Sequence, residues 1–138
     1  MMEVTGYSGT PLEKKLGLKS GFKIRLINQP HYYFNLFENL PENLIILDDT
    51  TIPKDFIHCF TSSSEDLIKN IVPLRKEIVS NGTIWISWHK KSSKIESDVT
   101  EDFIRILALA NGLVDVKVCA IDDIWSGLKL VIPVKLRQ

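Results

Sequence analysis

Apolar positions along this chain recur at two spacings, and each switch between them marks the boundary of an element. Phe22, Ile24 and Leu26 recur every second residue with Lys23 and Arg25 between them, the pattern of a half-buried strand over Phe22–Asn28. Leu44–Leu47 and Asp55–Phe60 read as two further strands. Thr83–Trp88, rich in β-branched and aromatic residues and entered from a turn at Asn81-Gly82, reads as the central one. Val114–Ile121 and Leu128–Val134 close the set, joined by a loop over Asp122–Gly127. Between strands the period lengthens. Leu67, Ile68, Ile71, Val72, Ile78 and Val79 form the stripe of a helix opened by caps within Thr61–Asp66 and running to Val79, with Pro73 predicting a kink or a break. Phe103, Ile104, Leu107 and Ala110 mark a second helix, opened by Asp98-Val-Thr-Glu101 and closed by Asn111-Gly112.

The first helical signal is a capping box, Thr10-Pro-Leu-Glu13, which opens a short helix over Leu12–Leu16 that Gly17 ends. Tyr7–Gly9 before it is a loop, and His31–Asn39 a short, irregular helix. The predicted core is Ile24, Leu26, Ile57, Ile84, Ile86, Leu107, Val116, Val118, Leu130 and Ile132.

Alternating strands and helices imply an α/β fold with right-handed crossovers. The expectation is one domain over residues 1–138 with a doubly wound, mostly parallel sheet ending in an antiparallel C-terminal hairpin, an element order that resembles a Rossmann-like, methyltransferase-like domain. No repeat or low-complexity tract interrupts it.

Composition narrows the setting. At 138 residues the chain can bury roughly 68% of its unfolded surface, enough for one core without metal or disulfide staples. Seventeen basic residues balance seventeen acidic ones, so no global field recruits nucleic acid or an anionic membrane. No stretch reaches the ~18 apolar residues of a membrane span, and the N-terminus carries neither the basic nor the apolar part of a secretory signal. A cytoplasmic protein is expected. Cys59 and Cys119 sit inside strands without ligand spacing and read as buried free thiols.

Candidate chemistry follows from topology. Ligands of open parallel sheets bind outside the carboxyl ends of the strands. Those ends gather Asn28, Asp48, Thr61 to Ser64, His89 to Ser93, and Asp122 to Ser126. Within this rim Lys90, Lys91, Ser92 and Ser93 suit an anion, Asp122 or Asp123 would orient a lysine, and Trp88 or Trp125 would offer a stacking face. Trp125 and Ser126 complete the candidate ligand set. The plainer alternative is a solvated loop, with the tryptophans packed as core lids and Asp98 capping the next helix. His58, between Phe56 and Phe60, reads as a hydrogen-bonded core histidine. No metal spacing joins His31 and His89, neither cysteine has a nucleophile's surroundings, and Ser8 lies outside any nucleophile elbow. The catalytic residues are unassigned, and no cofactor is expected.

The order of the later elements resembles the closing half of a Rossmann-like methyltransferase domain, in which only the antiparallel last strand would separate the two rim loops. The opening half departs from that pattern. Such enzymes follow the first strand with a glycine-rich turn, because glycine lets backbone N–H groups approach the cofactor. Here the turn is Asn28-Gln-Pro-His31. Asp48 and Asp49 do stand where a ribose-binding carboxylate would.

Gly6-Tyr-Ser-Gly-Thr-Pro-Leu12, Lys15-Leu-Gly-Leu-Lys-Ser-Gly21, Gly82-Thr-Ile-Trp85, Trp88-His-Lys-Lys-Ser-Ser93 and Trp125-Ser-Gly-Leu-Lys-Leu-Val131 span almost the whole chain. As a set they resemble a bacterial family catalogued as domain of unknown function 3052. The resemblance implies a bacterial cytosolic α/β domain and assigns no catalytic residue. Two readings stand: a non-catalytic Rossmann-like domain binding a protein partner or a small anionic ligand, or a small S-adenosylmethionine-dependent, methyltransferase-related enzyme with a degenerate cofactor site. Nucleic acid and membrane are not expected partners.

Overall fold

The alternating positions after Gly21 form β1 (Lys23–Ile27) in the computed structural model, which describes residues 9–137. The expected Tyr7–Gly9 loop, apart from Gly9, and Ser8 lie outside the described residues. Alternation places Ile24 and Leu26 on one face of the sheet and Arg25 and Ile27 on the other. The chain order continues as β2 (Ile45–Ile46), β3 (Lys54–Phe60), α2 (Ser64–Glu77), β4 (Ile78–His89), α3 (Glu101–Ala110), β5 (Val114–Ala120) and β6 (Trp125–Val131), with α1 (Leu12–Leu16) ahead of β1.

The strands lie in the order β2-β1-β3-β4-β6-β5. β1 to β4 pair in parallel, whereas β6 is antiparallel to both β4 and β5, so β5 runs in the direction of β4. The expected mostly parallel α/β sheet with an antiparallel C-terminal pair is the observed fold. Apolar layers fill both faces: Leu67, Ile71 and Leu74 of α2 with Ile104 and Ala108 of α3 pack on Ile57, Ile84, Ile86, Leu128 and Leu130. The opposite layer sets Leu12, Leu16 and Tyr33 against Ile24, Phe56 and Trp85.

Several local expectations are corrected. The α2 helix ends at Glu77 and runs through Pro73, and Ile78 and Val79 belong to β4. Its buried stripe is Leu67, Ile71 and Leu74, while Ile68 and Val72 fall outside that stripe and are exposed. Asn81-Gly82 is no turn. The pairing jumps from Lys54↔Ile78 to Phe56↔Thr83, so residues 79–82 bulge inside β4. A Cβ on Gly82 would meet Ile78 Cβ at 2.9 Å and the Lys54 carbonyl at 3.1 Å, so close approach requires glycine there.

The β6 strand begins at Trp125, so the expected Asp122–Gly127 loop shrinks to a tight turn and Trp125 and Ser126 become strand residues. Val116 and Val118 are exposed, since β5 is an edge strand whose pairing shifts register between Asp115 and Lys117. Leu107 is half-buried, and the other seven predicted core positions are buried. The His31–Asn39 helix reduces to a 3-10 turn over Tyr33–Leu36. Glu13 does not close a capping box. Its buried carboxylate accepts from the N–H groups of Glu38 (3.2 Å) and Asn39 (2.7 Å), tying α1 to that turn.

Among the described residues, no helix is long and apolar enough to cross a membrane.

Candidate functional site

The carboxyl ends of β3 and β4 open into two loops that are stitched together. Thr61 N–H donates to the Ser87 carbonyl (3.0 Å) and closes the end of β3 onto β4. Ser63 caps α2 by accepting from Asp66 N–H (3.2 Å). Asp98 does not cap the helix that follows it, because Thr100 holds that position and accepts from Phe103 N–H. Asp98 instead reaches back to the start of α2, where its carboxylate accepts from both Ser64 N–H and Ser64 Oγ at 2.7 Å. These hydrogen bonds hold its carboxyl below the usual carboxylate range. The result is an open groove of about 670 Å³ lined by Ser62, Ser63, Lys91, Lys94, Glu96, Ser97 and Asp98.

Lys91–Ser93 form a 3-10 turn that Lys94 ends in the left-handed conformation, φ 59°. A second groove of about 480 Å³ shares Lys91 and Ser97 and adds Trp88, His89, Lys90 and Thr100. Among the described residues, neither Lys90, Lys91 nor Lys94 makes an ion pair. The Nδ1 atom of His89 is buried without a hydrogen-bond partner, and burial lowers the pKa of its ring.

The sequence-predicted rim residues divide into two groups. Lys90, Lys91, Ser92 and Ser93 follow β4 as expected, although the Ser93 hydroxyl is turned inward onto the Lys90 carbonyl at 2.6 Å. Asp122, Trp125 and Ser126 meet that loop only from the side: Lys90 N–H donates to the Ile124 carbonyl at 2.8 Å. The expected Lys–Asp pair is absent. Asp122 accepts instead from Tyr32 Oη (2.7 Å) and from the N–H groups of Ile124 and Trp125 (both 2.8 Å), so its carboxylate is consumed by its own turn. Burial and the Asp122 carboxylate push the Tyr32 phenol up to about 12. Trp125 stacks on His89, and Ser126 pairs with Trp88 in the ladder. The sequence reading did not anticipate Lys94, Ser97 and Asp98 as lining residues. A Lys-rich loop continuing past Ser93 was the available signal.

Beneath the rim lies a buried polar relay. His58 Nε2 bonds Ser87 Oγ at 2.7 Å and Nδ1 bonds Tyr33 Oη at 2.9 Å. His58 and Ser87 are fully buried and Tyr33 is 1% exposed, so no substrate reaches them. Burial pulls the His58 pKa down to about 3 and raises that of Tyr33. The relay satisfies core polar groups and holds β3, β4 and the 3-10 turn together.

The same fold recurs in known proteins. The domain superimposes on an S-adenosylmethionine-dependent methyltransferase from Aquifex aeolicus with a TM-score of 0.58 at 15% identity, over 88% of this chain and 87% of that one. A protein described as a type 11 methyltransferase from Sulfolobus solfataricus gives 0.56 at 15% identity, over 84% and 87%. The fold is that of the S-adenosylmethionine-dependent methyltransferases. Magnesium protoporphyrin IX methyltransferase from Synechocystis, solved with S-adenosylmethionine bound, gives 0.55 at 12% identity, over 87% and 74%. No family model matches the chain, and no curated protein matches it.

A methyltransferase fold implies S-adenosylmethionine, and the turn after β1 does not fit that cofactor. Asn28 takes φ 56° where a glycine would lie, and Pro30 has no N–H to donate. Tyr33 N–H is spent on the Pro30 carbonyl at 3.0 Å. The four-residue 3-10 turn at Tyr33–Leu36 stands where a helix N-terminus would present donors. Asp49 accepts from Thr51 N–H and Thr51 Oγ1 through one oxygen, Oδ1.

Proposed function

We propose that this domain is a non-catalytic Rossmann-like module that binds a small anionic ligand in the rim groove between the starts of α2 and α3. The observation that carries the reading is the pairing of Lys91 and Lys94, both without ion-pair partners among the described residues, with Ser62 and Ser63 across one groove. Cations supply attraction and hydroxyls supply oriented hydrogen bonds, a combination that suits phosphate or carboxylate oxygens. Asp98 opposes the anion least of the two nearby carboxylates, because its oxygens are engaged by Ser64.

The competing reading, a methyltransferase-related enzyme with a degenerate cofactor site, draws its support from the fold alone. Fold does not carry function, and the turn after β1 argues against the cofactor.

Titration with inorganic pyrophosphate, followed by amide shifts in ¹⁵N NMR, separates the outcomes. Saturable shifts confined to Ser62–Ser64 and Lys91–Asp98, weakened about tenfold or more in Lys91→Ala, Lys94→Ala, support the rim site. Absence of saturation, or unchanged binding in the double variant, contradicts it.

A further inference from the structure

A second cavity, sharing no residue with the rim grooves, lies along the open flank of β1. It measures about 400 Å³ and is bounded by β1, α2 and Thr50 of the loop between β2 and β3. At its base sits a charge cluster that the sequence pattern did not reveal. Glu77, its side chain 4% exposed, accepts from Arg25 Nη1 at 2.6 Å and from Lys54 Nζ at 3.0 Å. The fully buried Lys54 ammonium also donates to the carbonyls of Asp49 (2.6 Å) and Ile52 (2.7 Å), so its three protons are all used. Arg25 differs. A guanidinium has five N–H donors in a planar fork, and among the described residues Glu77 is its one hydrogen-bonded acceptor. Two cations thus share one carboxylate, and the unspent charge and donors belong to the partner that lines the cavity.

We propose that this cavity is a binding site for a small organic monocarboxylate, held by Arg25. The guanidinium fork matches a carboxylate's two oxygens, and the ligand's charge would balance the cluster. Ile27, Leu74 and Cys59 give the cavity an apolar wall. Cys59 contributes as a neutral thiol, since burial pushes it up to about 11. Lys76 and Asp66 line the same cavity and offset each other, so Arg25, Lys54 and Lys76 against Glu77 and Asp66 leave one positive charge, which favours a monoanion over a dianion.

NMR titration with benzoate and, separately, with inorganic phosphate, reading the Arg25 Nε–H and the Cys59 and Leu74 amides, tests this assignment. Benzoate should shift all three saturably, while phosphate should bind more weakly. Arg25→Gln should weaken benzoate about tenfold or more. Because that variant removes one of the two cations on Glu77, Asn70→Trp provides an independent test: Asn70 is exposed on α2 and lines the cavity, so an indole there plugs it without replacing a charged residue. Loss of benzoate binding in folded Asn70→Trp supports the site. Unchanged binding in that variant, shifts that map to Lys91 and Lys94 instead, phosphate binding as tightly as benzoate, or no saturation overturns it.

Discussion

The imidazole of His89 stacks on the indole of Trp125 with ring centroids 4.0 Å apart, and the two residues sit directly opposite each other on β4 and β6. This contact brings the loop after the central strand against the turn before the last one. It also shows why no Lys–Asp bridge forms: Asp122 is turned toward Tyr32 and its own backbone. The double substitution Lys90→Ala, Lys91→Ala should therefore change stability by less than about 0.5 kcal/mol, since Lys91 is exposed, Lys90 half-buried, and neither makes an ion pair among the described residues. Urea unfolding checks this, and a larger loss would mean that one lysine holds the loop in place.

Ile86 is fully buried between β3 and β6 in the sheet, facing the helices. Ile86→Ala should cost about 2–5 kcal/mol, the transfer term plus a cavity term. A loss well under about 1 kcal/mol by urea unfolding would place the residue outside the packed layer.

Among the described residues, Glu77 is the one carboxylate that forms an ion pair with the buried Lys54 ammonium. Glu77→Ala should be more damaging than a surface change, about 3–5 kcal/mol, because it strands a charge in the interior. Lys54→Met in the same background should recover part of that loss. Additive damage in the double variant would mean that the pair is not coupled.

His58 gives stability a pH dependence of defined sign. Its pKa is lowered to about 3 in the fold, so between the unfolded value of 6.5 and about 3 the unfolded chain binds the extra proton. The contribution is fully present above the unfolded pKa and is lost as pH falls through that window, with a slope approaching ~1.4 kcal/mol per pH unit. His89 adds slope of the same sign. The His58→Gln variant should therefore be less destabilised relative to wild type at pH about 5 than at pH about 7, measured by urea midpoints. An equal difference at both pH values would show that His58 does not titrate in this range.

The sheet was legible because the period-two pattern at Phe22–Leu26 and the short apolar runs at Leu44–Leu47, Asp55–Phe60 and Thr83–Trp88 alternate with helical stripes, which a covered, mostly parallel sheet satisfies. What failed was local. Asn81-Gly82 has the composition of a turn, yet its glycine is required by contacts with Ile78 and the Lys54 carbonyl, which no short-range rule contains. Trp125 and Ser126 follow Asp122-Asp123, which looks like a loop, but pairing with β4 extends β6 back to Trp125. At the rim, Lys90 and Lys91 were visible as charges after a strand. Asp98 was visible as a capping residue, but which helix it caps depends on a contact 34 residues back in sequence. The Arg25–Glu77–Lys54 cluster joins three elements and leaves no local pattern at all.

Isothermal titration of the full chain with S-adenosylmethionine tests most directly the claim that this methyltransferase fold serves something other than methyl transfer. Asn28-Gln29-Pro30 and the spent N–H of Tyr33 predict no saturable heat in the micromolar range. Saturable binding at one site per chain, abolished by Asp48→Ala, would contradict it and restore the enzyme reading.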